Sequence, residues 1–164
     1  MQFESGSCLP APSAARIARF EAAQRVTLPE AFKNFLAHSN GGAPIENHFL
    51  HEGEEREVET FLCLLDNARA DPEHGWNDLS VVITQLGSRI AEDEDQLGAK
   101  IVPFAKVSVG DFLCLDFRQS SAHPTVGLWE DERSDDFQPH VEEVAGSFEQ
   151  FLAMLHREPE AGES

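Results

Sequence analysis

One stretch, FKNFLAHSNGG at residues 32–42, constrains the chain more than any other. It reads as a short helix brought to an abrupt stop. Phe32, Phe35, Leu36 and Ser39 fall on one stripe at helical spacing. Pro29 suits the first helical turn, where a missing N–H costs nothing, and Glu30 beside it favours the positive end of the helix dipole. Asn40 or Gly41 can take the left-handed conformation that closes a helix, and Pro44 prevents its resumption. Such a chain must turn sharply, and the β-prone segments beyond Pro44 make a sheet the destination.

The remaining segments fit around that turn. AARIARFEAAQRV, from Ala14, predicts a first amphipathic helix with Ile17, Phe20 and Ala23 or Gln24 in step. Residues 1–13, rich in Pro and Ser, read as a frayed opening segment. IENHFL and VETFLCLLD read as short strands separated by the acidic HEGEEREVE, and residues 66–78 carry loop chemistry. LSVVITQLGSRIA is two-sided. Its β-branched centre argues for strand, while the spacing of Leu79, Val82, Ile83 and Leu86 argues for the helix adopted here. EDEDQLGAK reads as a solvated acidic loop.

Three further strands are predicted in IVPFAKV, DFLCLDF and TVGLWED, with VGD as a tight turn between the first two. In DFLCLDF, Leu113, Leu115 and Phe117 share one face, and Phe112, Cys114 and Asp116 the other. GSFEQFLAML closes as a helix: Ser147 and Gln150 make a capping box, and Phe148, Phe151, Leu152 and Leu155 form its buried stripe. Residues 157–164 read as a disordered tail. The sum is a single α+β domain over residues 14–156. It has N-terminal helices, a mixed, mostly antiparallel sheet of about five or six strands, and a closing C-terminal helix.

Composition narrows the partners. The 164 residues hold 30 acidic and 12 basic side chains, a net charge of −18. Nucleic acid and anionic membranes should repel such a chain, and basic partners should be drawn to it. No run approaches the length of a membrane span. The first fifteen residues contain Glu4, no Lys or Arg, and no apolar core, so no signal peptide is read and a cytoplasmic location is expected. Cys8, Cys63 and Cys114 are widely separated, and the apolar runs around the last two predict small buried hydrophobes.

Motifs that carry chemistry are incomplete. HEGEE at 51–55 has Glu55 where a zinc-protease helix needs its second His. The seven histidines read as solvated surface groups. EDED and EDERSDD concentrate carboxylates without the alternating ligands of a calcium loop. Asp116 stands apart because its strand neighbours are apolar. It reads as a carboxylate accepting hydrogen bonds from a nearby turn, with a catalytic acid as the distant alternative. No catalytic residue, metal or cofactor is therefore assigned, and a non-enzyme is expected.

The order of motifs closely resembles the SUKH superfamily, named partly for a yeast cell-wall synthesis regulator. The resemblance runs over residues 14–155. It rests on LP-x2-F-x2-FL-x3-NGG-x-P at Leu28–Pro44, IVPFA at Ile101–Ala105, GD-x-L-C-L-D at Gly110–Asp116, V-x-x-W at Val126–Trp129 and VA-x-SF-x-x-FL at Val144–Leu152. It implies an α+β fold with Asn40, Gly41, Gly42, Asp116, Trp129, Phe148 and Phe151 as structural positions. It also implies a cytoplasmic, non-catalytic immunity protein that neutralises a polymorphic toxin domain passed between competing cells. The alternative is an interaction scaffold or regulator of cell-envelope synthesis. Because many toxins are nucleases with basic clefts, the acidic loops are the expected contacts. These are Glu92, Asp93, Glu94 and Asp95 in one loop, and Glu130, Asp131, Glu132, Asp135 and Asp136 in the other. The oligomeric state stays open.

Overall fold

In the computed structural model, which describes residues 1–160, the chain begins with helices α1 (Ala14–Gln24) and α2 (Glu30–His38). Pro29 sits at the N-cap of α2, one position before the predicted first turn, and Glu30 leads the helix. Phe32 and Leu36 are fully buried, whereas Phe35 is half-buried. The predicted stop is present. Gly41 and Gly42 take positive φ values of 78° and 102°, and Asn40 does not.

Asn40 has a different task. Its side-chain Nδ2 donates to the Leu64 carbonyl at 3.0 Å and to the Pro10 carbonyl at 2.9 Å, while Oδ1 accepts from the Leu64 N–H at 2.8 Å. The amide thus satisfies both backbone groups of a buried residue, as a paired strand would. A Cβ on Gly42 would lie 2.8 Å from the Cys8 sulfur, so the opening segment closes over this turn. Residues 1–13, read as frayed, lie along it instead: Phe3 bridges Pro44, and the Leu9 N–H donates to the Asn40 carbonyl at 2.9 Å.

Six strands follow in a meander: β1 (His48–His51), β2 (Glu54–Phe61), β3 (Ile101–Val107), β4 (Asp111–Asp116), β5 (Thr125–Trp129) and β6 (Val141–Ala145). Every pairing is antiparallel, so the expected mixed character gives way to a purely antiparallel sheet. The acidic HEGEEREVE is a hairpin and not a separator. Glu52 and Gly53, with φ of 51° and 80°, form a two-residue turn of the kind that matches strand twist. The VGD turn is as predicted, with positive φ at Val109 and Gly110. Helix α3 (Leu79–Leu86) resolves the two-sided segment as helix, capped by the buried Asp78, which accepts from the Ser80 N–H at 2.8 Å.

Pro103 lies in the middle of β3, between β2 and β4, where a missing donor is poorly tolerated. The register shifts between Pro103 and Ala105, and this bulge admits Phe104 as the extra residue. The Phe104 ring lies 6.0 Å from Phe32, 5.4 Å from Phe148 and 5.7 Å from Phe151. Phe148 and Phe151 come from α4 (Phe148–Met154), whose capping box places the Ser147 hydroxyl on the Gln150 N–H at 3.1 Å. Counting Phe3, Phe35, Phe49 and Phe61, eight phenylalanines form one ring-to-ring network beneath both helices. On the opposite face of β4, Cys114 joins Trp129, Ile101 and Ile90 in a smaller cluster, the two-faced pattern expected of DFLCLDF. The C-terminal chain then pairs back onto β1, with His48 and His156 exchanging N–H···O bonds of 2.9 Å. Of the tail expected to be disordered, residues 161–164 lie outside the described residues.

Phe151→Ala is expected to destabilise by about 3–5 kcal/mol, and the half-buried Phe35→Ala by less. Asn40→Ala, which orphans two buried backbone groups, should cost about 2–4 kcal/mol. Urea midpoints check all three. A change below about 1 kcal/mol at Asn40 would show that its amide does not clamp the turn.

Candidate functional site

The chain leaves α3 through a tight helical turn, Gly87–Ile90, whose side chains anchor the segment between β5 and β6. Arg89 reaches Asp131 with Nη1 and the Ser134 carbonyl with Nη2, the latter at 2.9 Å. Its guanidinium also lies 5.2 Å over the ring of the buried Trp129, whose Nε1 donates to the Arg89 carbonyl at 3.0 Å. Ser88 holds Asp136 through its hydroxyl and the Phe137 N–H through its carbonyl. The Ser134 hydroxyl donates to the Glu130 carbonyl at 2.7 Å and accepts from the His140 N–H at 2.9 Å, bracing the loop from within. At the base of the loop, the Asp131 N–H meets Asp111, which Arg56 holds at 2.8 Å.

The two predicted acidic loops therefore flank one anchoring turn, and their carboxylates divide into two kinds. Asp131 and Asp136 are engaged within the fold, and Glu92 pairs with Lys100 at 3.5 Å. Asp93 caps the Asp95 N–H at 2.9 Å. Asp93, Glu94, Asp95, Glu132 and Asp135 stay exposed with no ion pair among the described residues, with Phe137 also facing solvent. Glu130 is half-buried at the end of β5 and belongs to a different group of residues.

That group was not legible as a site in the sequence. The sheet curls until the end of β1 meets the start of β6, and there His51 Nε2 lies 3.1 Å from Glu142 Oε2. His140 Nε2 approaches the other oxygen of Glu142 at 3.0 Å. Hydrogen bonds from His140 and then His51 hold the Glu142 carboxyl down at about 2, whereas burial and the neighbouring Glu142 push Glu130 upward. Further along the same seam, His156 Nε2 is 2.8 Å from Glu55. The reading of all seven histidines as solvated thus fails for the buried His48 and for the half-buried His51, His74, His140 and His156; of these, His51 bridges the sheet's two margins. The missing signal is topological: His51 and Glu142 are 91 positions apart.

The other singled-out residues have structural surroundings. Asp116 ends β4 and accepts from the Arg118 N–H at 3.0 Å and from its guanidinium at 2.9 and 2.8 Å. That partner set matches the turn-capping reading, and the pairing pushes the Arg118 guanidinium higher still. Burial raises the Cys114 thiol, and burial followed by the Asp78 charge raises Cys63 to about 12, so neither is a thiolate at neutral pH. HEGEE occupies a hairpin and cannot present the one-helix face of a zinc protease. Among the described residues no helix is long and apolar enough to cross a membrane.

The fold is therefore an α-helical layer over an antiparallel meander with exposed acidic loops at one rim. The family profile described as SMI1-KNR4 cell-wall, SUKH_6, matches residues 14–152, from the start of α1 into α4. The chain belongs to this SUKH family. Comparison with the curated proteins finds no match.

The seam also sets a pH dependence. The Met154 carbonyl and then Glu55 raise the His156 pKa above its ordinary 6.5. A raised folded-state value means that this contribution is complete below pH 6.5 and is lost as pH rises through the folded value. The stability gap between wild type and His156→Gln, read from thermal midpoints, should therefore shrink from pH 5.5 to about pH 8.5. A gap that widens over that range would reverse the assignment.

Proposed function

We propose that this chain is a non-catalytic, cytoplasmic immunity protein that covers the basic face of a cognate toxin domain with its acidic rim. One observation carries this reading. The exposed acids Glu132 and Asp135 stand on a loop whose backbone is fixed from inside by Arg89, Ser88 and Ser134. Asp93, Glu94 and Asp95 stand on the loop that follows the Gly87–Ile90 turn, where Gln96 and Asp93 accept from the Glu92 and Asp95 N–H groups. A pre-organised row of like charges imitates a phosphate backbone and raises the encounter rate with a basic cleft. Phe137, 39 % exposed among these carboxylates, adds an apolar contact of the kind interfaces bury at their centre. Family membership supports a binding role, and the net charge of −18 supports a basic protein partner over nucleic acid.

The matching family's cell-wall description favours a second reading, an interaction scaffold in the control of cell-envelope synthesis. The partner separates the two. The immunity reading predicts a neighbouring gene that encodes a toxin domain, and co-expression of the two should rescue growth. Changing Asp93, Asp95 and Asp135 to Asn, together with Glu94 and Glu132 to Gln, should abolish rescue and flatten the salt dependence of association while leaving the fold intact. Rescue by that variant with unchanged salt dependence would place the interface elsewhere. Co-purification with envelope-synthesis enzymes and no protection from the neighbouring toxin would favour the scaffold.

A further inference from the structure

Three ligand-bearing side chains are brought together by two strands. The Glu130 N–H donates to the His140 carbonyl at 3.1 Å, which sets these two residues opposite each other just beyond the last registered pair of β5 and β6. Glu142 follows His140 by two positions, so strand alternation returns it to the same face. One ligand atom from each of Glu130, His140 and Glu142 falls within 4.8 Å of the others. His140 Nε2 is 3.0 Å from Glu142 Oε1 and 3.9 Å from Glu130 Oε1. The cleft beside them has a volume of about 200 Å³ and is lined by His51, Glu52, Glu54, Arg56, Arg133 and the two glutamates.

We propose that Glu130, His140 and Glu142 form a binding site for a divalent cation of the zinc class, with His51 orienting the carboxylate of Glu142. Zinc bonds of about 2.0–2.1 Å in tetrahedral geometry separate neighbouring ligand atoms by about 3.3 Å. The 3.0 Å pair is already at that spacing, and Glu130 needs only a side-chain adjustment to close the 3.9 Å gap. An imidazole with carboxylates selects zinc-like ions over magnesium or calcium, which take oxygen alone. His51, on the far oxygen of Glu142 at 3.1 Å, is the outer partner that fixes a ligating carboxylate.

A cation already tests the position. Arg133 places Nη1 2.9 Å from Glu142 Oε1 and Nε 3.4 Å from Glu130 Oε2, on a side chain that is 60 % exposed. Its guanidinium balances the two carboxylates and competes with a metal ion. Binding displaces it to solvent and requires a neutral His140 with its Nε2 lone pair free, so any proton on that nitrogen is released to water.

The test is zinc titration by calorimetry on the full chain after chelator treatment. One equivalent should bind, more weakly at pH 5.5 than at pH 7.5. His140→Ala and Glu142→Gln should abolish the saturable event, and His51→Ala should weaken it about 10–100-fold. Arg133→Met should tighten it. Cobalt(II) should give the visible absorption of a four-coordinate site in wild type and in Arg133→Met, but not in His140→Ala. His123→Ala, at an exposed position outside the seam, should change nothing. Circular dichroism separates loss of binding from loss of fold in each variant. If neither wild type nor Arg133→Met binds zinc saturably, or if His140→Ala binds as wild type does, the proposal is overturned.

Discussion

The side-chain amide of Asn40 holds together parts of the chain that no sheet or helix ladder joins. Leu64 lies three residues past the end of β2 and is buried outside any strand. Asn40 takes both the N–H and the carbonyl of Leu64, and its second amide hydrogen reaches Pro10. Three segments therefore meet at one residue: the end of α2, the exit from β2, and the stretch leading into α1. An aspartate there would put an acceptor oxygen, where Asn40 has its Nδ2, against the Leu64 and Pro10 carbonyls. A serine would be too short to span the Leu64 backbone. The two glycines that follow are needed for the same closure, because Gly42 leaves room for Cys8 while its carbonyl receives the Phe61 N–H at 2.9 Å.

Once the turn is fixed, the aromatic network has one arrangement open to it. Helix α2 can only descend onto the sheet with Phe32 toward Phe104, and α4 completes the layer from the other end of the chain, with Phe32 and Phe148 5.1 Å apart and edge to face. The bulge at Pro103 serves this packing. Proline forfeits a ladder donor in an interior strand, and the extra residue it brings, Phe104, becomes the centre of the cluster. Local and long-range choices agree here, as they should in a sequence that specifies one structure.

Where local chemistry and tertiary role coincide, the sequence is readable. The stop after α2, the two faces of β4 and the capping box of α4 were all evident from spacing alone. Legibility ends where pairing overrides composition. Glu54–Glu57 reads as solvated loop because glutamate is depleted in strands, yet its backbone is held in register by β1. Val141–Ala145 was missed for the same reason, since two glutamates interrupt a weak alternation. The seam depends on that missed strand. Without β6, neither His140 nor Glu142 has an assigned neighbour, and no spacing rule links them to His51 or Glu130. The acidic loops were legible as charge. Which carboxylates the fold itself consumes, Asp131 through Arg89 for example, could emerge only from three-dimensional contacts.

The two proposed features share the segment between β5 and β6, and that proximity gives them a definite energetic relation. Glu130 and His140 stand at the two ends of the loop that presents Glu132 and Asp135. An ion bound between those ends adds two positive charges within a Debye length of about 8 Å and turns Arg133 outward toward the rim. Both changes oppose a basic partner. A closed loop base acts the other way by pre-organising the rim, but Ser134 and Arg89 already fix that backbone, so little ordering remains to be gained. The electrostatic effect therefore dominates, and zinc should slow association with a basic partner, most at low ionic strength. Because linkage is reciprocal for equilibrium affinities, the partner must weaken zinc binding by the same factor by which zinc lowers the partner's affinity. Stopped-flow association at two salt concentrations, with and without zinc, measures the sign directly. Faster association with zinc at low salt would mean that loop ordering outweighs charge.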